Sequence, residues 1–186
     1  MSQFILPARL TNHSLHIELL KLLNSNKNNL ESVDIDFRSV MFATPASIVY
    51  LSTFIGWLRD KKVIVTCSKV NKNRPSIQYL DSCLFFEYFC GSKLDKKNAV
   101  RKTTIPLIIL DSTETFVWVE STFVPWLSNI TGIARGNLNE VATCLKEIFN
   151  NITDHTNYES GYFMGQWYPK QRKIVFSIAD FGIGIP

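Results

Sequence analysis

A carboxylate, an amide and a second carboxylate share one side of a predicted helix near the end of the chain. Glu147, Asn151 and Asp154 follow i, i+4, i+7 spacing, so they project from one face. Apolar residues at helical intervals predict the helix itself, namely Leu138, Val141, Leu145, Ile148, Phe149 and Ile152. Asn137 and Glu140 match a capping box with Asn in place of Ser or Thr. Because the polar face adjoins the apolar stripe, we expect the three polar groups to line a cleft.

A second polar group follows a predicted strand. Residues 173–179 alternate in hydrophobicity and are predicted to form a hairpin with residues 162–168. The strand ends in Asp180, and Gly182 and Gly184 follow, where the backbone can approach a ligand closely. We expect Asp180 to face the same cleft as the helix residues, since both pieces then converge on one ligand.

In this order, Glu-x-x-x-Asn-x-x-Asp, a hairpin and Asp-x-Gly-x-Gly-Ile-Pro resemble the N-box and first glycine box of the GHKL ATPases. That group includes gyrase B, Hsp90-type chaperones, histidine kinases and MutL. The resemblance implies an incomplete Bergerat-type α/β sandwich over residues 104–186, with ATP and Mg²⁺ as ligands. The alternative is that Asn151 and Asp154 are solvated helix residues and that the two glycines form an ordinary turn.

The resemblance also implies a role for each motif residue. Asn151 would ligate Mg²⁺, which keeps several waters and accepts one or two protein oxygens beside the phosphates. Asp180 would accept a hydrogen bond from the adenine amino group. Asp154 would lie at the base or ribose side of the pocket. Gly182 and Gly184 would let the backbone approach the nucleotide.

Two further positions complete the implied site. Ile185 would form a wall of the adenine pocket. Glu147 matches the residue that activates the attacking water in gyrase-like and Hsp90-like members. Because some members that do not hydrolyse ATP also carry an acid there, ATP hydrolysis is left open.

The first half of the chain alternates strands and helices, which predicts a small parallel α/β layer. Predicted strands at 32–37 and 63–67 flank a predicted helix at 46–60, so we expect the strands to be adjacent and parallel. Residues 63–67 are predominantly apolar, which is typical of a buried strand. Residues 1–92 resemble a STAS-type domain, the fold of the anti-sigma-factor antagonists, and the resemblance implies a protein partner for this domain.

The regulatory motif of the STAS family is altered in this chain. Family members carry Asp-Ser-Ser-Gly just before the helix, whereas this chain reads Thr44-Pro45-Ala46-Ser47. Pro45 occupies the position of the phosphorylated serine, so we expect the usual phosphorylation switch to be absent. Thr44 or Ser47 could take its place, but Ser and Thr at a helix start are usually caps.

The polar and charged residues 93–103 are predicted to be a linker between the two domains. After it, residues 104–110 are predicted to form a strand and residues 116–130 a helix that Pro125 kinks or splits. The large aromatic residues of this region are expected to pack in the core rather than to stack on nucleic-acid bases, namely Trp118, Phe123 and Trp126.

Composition narrows the classes of partner. Apolar residues make up 46% of the 186, enough for a core, while the net charge of +4 without a Lys/Arg block gives nucleic-acid binding little support. Four cysteines show no metal-ligand spacing, which favours buried free thiols in a reducing compartment. The longest apolar run is too short to span a bilayer, and we expect a cytoplasmic protein.

These features predict an ATP-binding regulatory protein, either a nucleotide-gated switch or a weak Mg-dependent ATPase, with a STAS-like partner-binding domain. Two alternatives stay open: a non-enzymatic interaction module, or an anti-sigma-factor-like Ser/Thr kinase. A homodimer, the pathway and the partner are not determined. GHKL domains continue with a lid and a second glycine box, so we expect an N-terminal fragment or a degenerate member. We also expect the 186 residues alone to show little ATP turnover.

Overall fold

The computed structural model of the chain describes residues 2–26, 30–155 and 160–180. The chain divides into two compact units, Met1–Arg101 and Lys102–Pro186, which we call unit 1 and unit 2. Both units combine helices with strands, so the predicted mixed α/β class is confirmed. The division falls inside the segment 93–103 that was predicted to be a linker.

Unit 1 is built around a parallel three-stranded sheet. β3 (Ser32–Asp36) lies between β1 (Ser2–Ile5) and β5 (Ile64–Ser68). Val33 pairs with Ser2 on one side and Val65 on the other. The predicted adjacency and parallel direction of the strands at 32–37 and 63–67 are therefore confirmed.

Helices supply the crossovers that parallel strands require. α1 (Asn12–Asn26) follows β1, and α2 (Pro45–Asp60) lies between β3 and β5 in the chain. The remaining elements are short: β2 (Arg9–Leu10), its parallel partner β4 (Phe42–Ala43), α3 (Pro75–Ser82) and α4 (Phe85–Cys90). Three buried rings pack together in the core, with centroids 5.3–5.9 Å apart: Phe37, Phe85 and Phe86.

One prediction for unit 1 is wrong. The strand at 63–67 is not buried on both faces, and its Ile64 is 66% exposed. Among the described residues β5 pairs only with β3, so it forms an edge of the sheet. The buried central strand is β3, where Val33 and Ile35 occupy one face and Asp34 and Asp36 the other.

The predicted linker is not a free segment over its first half. The buried carboxylate of Asp81 accepts hydrogen bonds from the backbone N–H groups of Leu94 (2.8 Å) and Asp95 (3.3 Å). It also accepts one from the side-chain amide of Asn98, at 3.1 Å. These bonds fasten the segment to α3, although Lys96 is exposed as expected for a solvated stretch.

Unit 2 contains an antiparallel three-stranded sheet. β7 (Ser160–Tyr168) is the central strand, between β6 (Thr104–Asp111) and β8 (Lys173–Ala179). The predicted hairpin of β7 and β8 is confirmed. It turns through a 3₁₀ segment, Pro169–Gln171, and Arg172, whose φ of 49° lies in the left-handed region.

The helical segment after β6 is interrupted. α5 (Ser112–Trp118) runs into a π-helical turn (Val119–Phe123), and α6 (Val124–Thr131) follows. Pro125 directly follows the π-helical turn, in which the N–H of Val124 donates to the carbonyl of Val119. The helix predicted over residues 116–130 is therefore present, and its hydrogen bonding changes from π to α just before Pro125.

α7 (Asn139–His155) is the longest helix described in unit 2. A 3₁₀ turn, Arg135–Leu138, precedes it, and the N–H of Asn137 donates to the carbonyl of Ala134 inside that turn. Asn137 therefore does not cap α7, and the predicted capping box is wrong.

Aromatic rings form the centre of the unit 2 core. Fully buried Phe163 of β7 lies 5.1 Å from the Trp118 ring and 6.1 Å from that of Phe123, while Trp126 packs 6.4 Å from Phe176. The expectation that these residues serve packing is confirmed. Across the described ranges, no helix combines the length and apolar character that crossing a membrane demands.

Candidate functional site

α7 packs on the sheet of unit 2 through a narrow apolar stripe. Val141 and Ile148, which the sequence pattern placed in this stripe, are instead 40% and 43% exposed. A helix buries an arc of its surface, and these two positions fall at the margin of that arc. The residues of α7 that do pack in the core are Ala142, Leu145, Phe149 and Ile152, and Leu138 of the preceding 3₁₀ turn joins them.

Glu147 and Asn151 lie on the outer side of α7, and both are exposed. Glu147 is two residues from Leu145 and from Phe149, which is about 200° around the helix and thus away from the sheet. The described residues therefore do not enclose these side chains in the cleft that the sequence predicted. Asn151 follows Ile148 by three residues, so the two are surface neighbours.

The remaining predicted site residues lie at or beyond the ends of the described segments. Asp180 follows β8 directly and is half-buried. Asp154 belongs to α7, but its side chain lies outside the described residues, as do Gly182, Gly184 and Ile185 entirely. Their predicted roles stay predictions.

α7 and the end of β8 converge at one glycine. Tyr162 pairs with Ala179, which places the next residue, Asp180, opposite Gly161 of the central strand. A Cβ atom added to Gly161 would lie 2.8 Å from Cδ1 of Ile152 and 3.1 Å from Cε1 of Phe149. The last turns of α7 thus rest directly on the strand position beside Asp180.

Gly161 was not singled out from the sequence. The signal that could have found it is a glycine inside an otherwise large-residue strand, which often marks a close approach of another element. The approach here is that of α7, and it brings the helix with Asn151 and the strand end with Asp180 to the same end of the sheet.

Some of the charged side chains on and beside α7 already take part in other contacts. Lys146 forms an ion pair with Glu120, and its ammonium also lies 5.2 Å from the centre of the Phe116 ring. In the described portion of the chain, no group of three or more His, Cys, Asp or Glu residues is arranged to hold a metal ion.

The cysteines correct the expectation that all four are buried thiols. Cys83 is buried and Cys67 is half-buried, but Cys90 and Cys144 are exposed.

The candidate phosphorylation site of unit 1 is a helix cap. Thr44 Oγ1 accepts the N–H of Ser47 (3.1 Å), and Ser47 Oγ accepts the N–H of Thr44 (2.9 Å) while donating to its carbonyl (2.8 Å). Ser47 is fully buried. Both hydroxyls take part in capping α2, which is the role expected of Ser and Thr at a helix start.

Polar side chains at the end of β3 are also satisfied internally. Asp34 accepts hydrogen bonds from the hydroxyls of Ser68 (2.6 Å) and Thr66 (3.1 Å). Asp36 accepts from Arg38 Nε (2.6 Å), and the pKa of Asp36 is lowered chiefly by this hydrogen bond, against its burial. These groups stabilise the sheet end rather than present an open ligand site.

Comparison with known proteins adds no family to this description, since no protein-family model, curated protein or solved structure matches the chain.

Proposed function

We propose that the chain is an ATP-binding regulatory protein whose nucleotide site lies where α7 meets the end of β8. One observation carries the proposal. Gly161 lets the last turns of α7 rest on the strand position opposite Asp180, so the two halves of the motif share one end of the sheet.

The chemistry of the donor set fits an adenine nucleotide with Mg²⁺. Asp180 offers a half-buried carboxylate that would accept the hydrogen bond of the adenine amino group. Asn151 offers an amide oxygen from an exposed position, which leaves room for the waters that Mg²⁺ retains. Asn151 would hold Mg²⁺, which would neutralise charge on the phosphates, and Asp154, Gly182, Gly184 and Ile185 would complete the base side.

The exposure of the outer side of α7 to solvent supports nucleotide binding more than ATP hydrolysis. Glu147 would orient a water beside the phosphates, but the described residues do not shield it from solvent. Excluding water strengthens the electrostatic interactions on which catalysis depends. We therefore propose a nucleotide-gated switch, with ATP hydrolysis by the 186-residue chain slow or undetectable.

Unit 1 would be the partner-binding domain of this switch. Its parallel sheet, with crossover helices α1 and α2, supports the STAS-like proposal at the level of topology. The proline at position 45 and the buried Ser47 imply that partner binding is not controlled by phosphorylation at the start of α2. We propose a cytoplasmic protein whose ligands are ATP or ADP and a protein partner.

The test is calorimetric titration of Mg-ATP and Mg-ADP into wild type and Asp180→Asn. We expect weak binding of both nucleotides to wild type and its loss in the variant, because the amide oxygen is a weaker, uncharged acceptor for the adenine amino group and an NH₂ donor replaces the second carboxylate oxygen. Retained affinity in a folded Asp180→Asn protein would reject Asp180 as the residue that recognises adenine, and absence of nucleotide binding to wild type would overturn the proposal.

A matched pair of substitutions tests the metal ligand. Asn151→Ala removes the proposed Mg²⁺ ligand, whereas Asn150→Ala makes the same change one residue away on the same helix. We expect only Asn151→Ala to abolish the Mg²⁺ dependence of binding. Transfer of the γ-phosphate to a protein serine would instead favour the Ser/Thr kinase alternative.

A further inference from the structure

A basic surface lies at one end of the parallel sheet of unit 1. It consists of three segments, residues 8–10 after β1, 38–42 after β3 and 69–74 after β5. Because the three strands are parallel, the segments that follow them lie at the same edge of the sheet. They contain no Asp or Glu and five basic residues, namely Arg9, Arg38, Lys69, Lys72 and Arg74.

This basic surface accounts for the net charge of the chain. The 186 residues carry 20 Lys and Arg against 16 Asp and Glu, which gives a net charge of +4. When the five basic residues of the surface are set aside, 15 basic residues remain against 16 acidic ones, so the rest of the chain is close to neutral. Charge that is concentrated in this way creates a local potential, which attracts an anionic partner.

Hydrogen bonds join the three segments into one surface. Arg74 donates from Nη1 to the carbonyl of Arg38, which ties the third segment to the second. The backbone N–H groups of Met41 (2.8 Å) and Phe42 (3.1 Å) donate to the carbonyl of Ala8, which ties the second segment to the first. A surface that is already ordered loses little conformational entropy when it binds a partner.

The acidic side chains at the end of β3 do not cancel the positive charge of this surface. Asp34 is hydrogen-bonded within the sheet, and Asp36 is buried in its ion pair with Arg38. The hydrogen bond from Arg38 and then the charges of Arg38 and Lys69 lower the pKa of Asp36. Half of the Arg38 side chain is exposed, and Lys69 is exposed as well, so both charges face a partner.

Two exposed apolar side chains lie within the basic surface. Met41 is 66% exposed and Phe42 is 42% exposed. The guanidinium of Arg9 lies 4.7 Å from the centre of the Phe42 ring, so it covers one face of that ring. Met, Phe and Arg are enriched in protein–protein interfaces, whereas binding of single-stranded nucleic acid uses open aromatic faces on which bases stack. The surface therefore favours a protein partner over nucleic acid.

We propose that the basic surface of unit 1 binds an acidic segment of a partner protein, whose carboxylates face Lys69 and its basic neighbours and whose apolar side chain packs against Met41 and Phe42. The inference specifies the protein partner of the proposed function and rests on that function to this extent, but it does not involve the nucleotide site. Charged groups at the rim of an interface mainly speed association, while buried apolar anchors supply most of the affinity.

The test titrates the full chain into a short fluorescein-labelled peptide in which Glu alternates with Leu and follows the fluorescence anisotropy. Three labelled probes of similar length serve as comparisons: a Lys–Leu peptide, a Glu–Ala peptide and a single-stranded DNA. We expect the Glu–Leu peptide to bind about tenfold or more tightly than each of the three. Its binding should weaken as the salt concentration is raised, because salt screens exposed charges.

Substitutions at the two ends of β5 show which surface is used. Lys69 directly follows β5 and Lys62 precedes it by two residues; both are exposed and both have a left-handed backbone, with φ of 53° and 63°. We expect Lys69→Glu to weaken peptide binding about three- to tenfold and Lys62→Glu, the matched control, to leave it unchanged. Lys72 is less suitable, because it lines a pocket together with Asp95. Met41→Ser should weaken binding about tenfold through loss of the apolar contact.

Equal binding of the Glu–Leu and Lys–Leu peptides, or equal weakening by Lys69→Glu and Lys62→Glu, would overturn the proposal. Tighter binding of the DNA would also overturn it and would make the surface a nucleic-acid site, as would absence of peptide binding at about 1 mM make it no docking surface at all. Titration of Mg-ADP into the same wild-type preparation separates this test from that of the proposed function. Nucleotide binding without peptide binding would overturn this inference alone.

Discussion

Gly161 is the residue on which the close packing of α7 depends. Its missing side chain leaves room for Ile152 and Phe149, both of which are buried in the core of unit 2. Gly136, by contrast, has nothing within 4 Å of the position that a Cβ would take. Comparing alanine substitutions at Gly161 and Gly136 therefore tests whether the packing of α7 needs the space at position 161.

We expect Gly161→Ala to destabilise unit 2 by about 1–3 kcal/mol, because overpacking a buried contact forces side chains or backbone to shift. Gly136→Ala should change the free energy of unfolding by about 0.5 kcal/mol or less. Urea unfolding followed by tryptophan fluorescence measures both. Equal stability of the two variants would show that α7 is not held against Gly161.

Asp36, at the end of β3, is a buried side chain that carries a charge. It has no exposed surface, and it accepts hydrogen bonds from Arg38 N (2.8 Å), Arg38 Nε (2.6 Å) and Gln3 Nε2 (3.2 Å). Because its folded-state pKa is lowered, its ionised form stabilises the fold at pH values above the ordinary carboxyl pKa of about 4. This contribution is lost as the pH falls through the lowered pKa.

We expect Asp36→Asn to lower the free energy of unfolding at pH 7 by about 1–3 kcal/mol, since charge-assisted bonds are lost. We also expect the variant to lose less stability than wild type between about pH 5 and pH 2. Glu31→Gln, which changes an exposed acid just before the same strand, is the control. If Asp36→Asn lost as much stability as wild type between about pH 5 and pH 2, the stabilising role of ionised Asp36 would be contradicted.

At the scale of elements, local periodicity predicted which segments form helices and strands but not how deeply each is buried. The alternation of residues 162–168 and 173–179 was enough to predict the β7–β8 hairpin. Burial of residues 63–67 was predicted wrongly, because an apolar strand looks the same in a sequence whether it has one neighbour or two.

Tertiary contacts explain the other differences between the predictions from sequence and the structure. Val141 and Ile148 have the helical spacing of core residues, yet the core that α7 faces is only wide enough for the stripe between Leu138 and Ile152. Asp81 fastens a segment whose composition indicates a linker. Prediction of the candidate site from sequence has the same limit. Motif spacing placed Asn151 on a helix but could not show that the side of the helix carrying Asn151 faces outward.

The start of α2 offers a paired test of helix capping. Ser47 exchanges hydrogen bonds with Thr44, whereas Ser52 of the same helix is equally buried and its hydroxyl has no hydrogen-bond partner. We expect Ser47→Ala to cost about 0.5–2 kcal/mol, as loss of a capping interaction does. Ser52→Ala should be neutral or stabilising, because it removes an unsatisfied buried group. Thermal unfolding of both variants provides the measurement, and similar losses would refute the distinction.

At the scale of the whole molecule, the proposals assign different chemistry to the two compact units. Unit 1 carries the parallel sheet and crossover helices that are proposed to bind a protein partner. Unit 2 carries the residues proposed to bind nucleotide, at the junction of α7 and β8. A ligand that binds only the folded state slows the opening of the structure that surrounds it. Amide hydrogen exchange can therefore show which unit a nucleotide contacts.

We expect Mg-ADP to slow exchange in peptides covering residues 145–155 and 174–180 of the wild-type chain, and not in Asp180→Asn. At a ligand concentration of about 100 times the dissociation constant, stabilisation is about 2.7 kcal/mol, so exchange that requires opening of the site should slow by roughly a hundredfold. Asn150→Ala, the neighbour of the proposed metal ligand, should keep the protection of wild type. Protection confined to residues 30–68 would move the nucleotide site to unit 1, and unchanged exchange throughout at saturating nucleotide would remove the ATP-binding proposal altogether. Protection at α7 and β8 that survives Asp180→Asn would retain the location but reject Asp180 as the residue that recognises adenine.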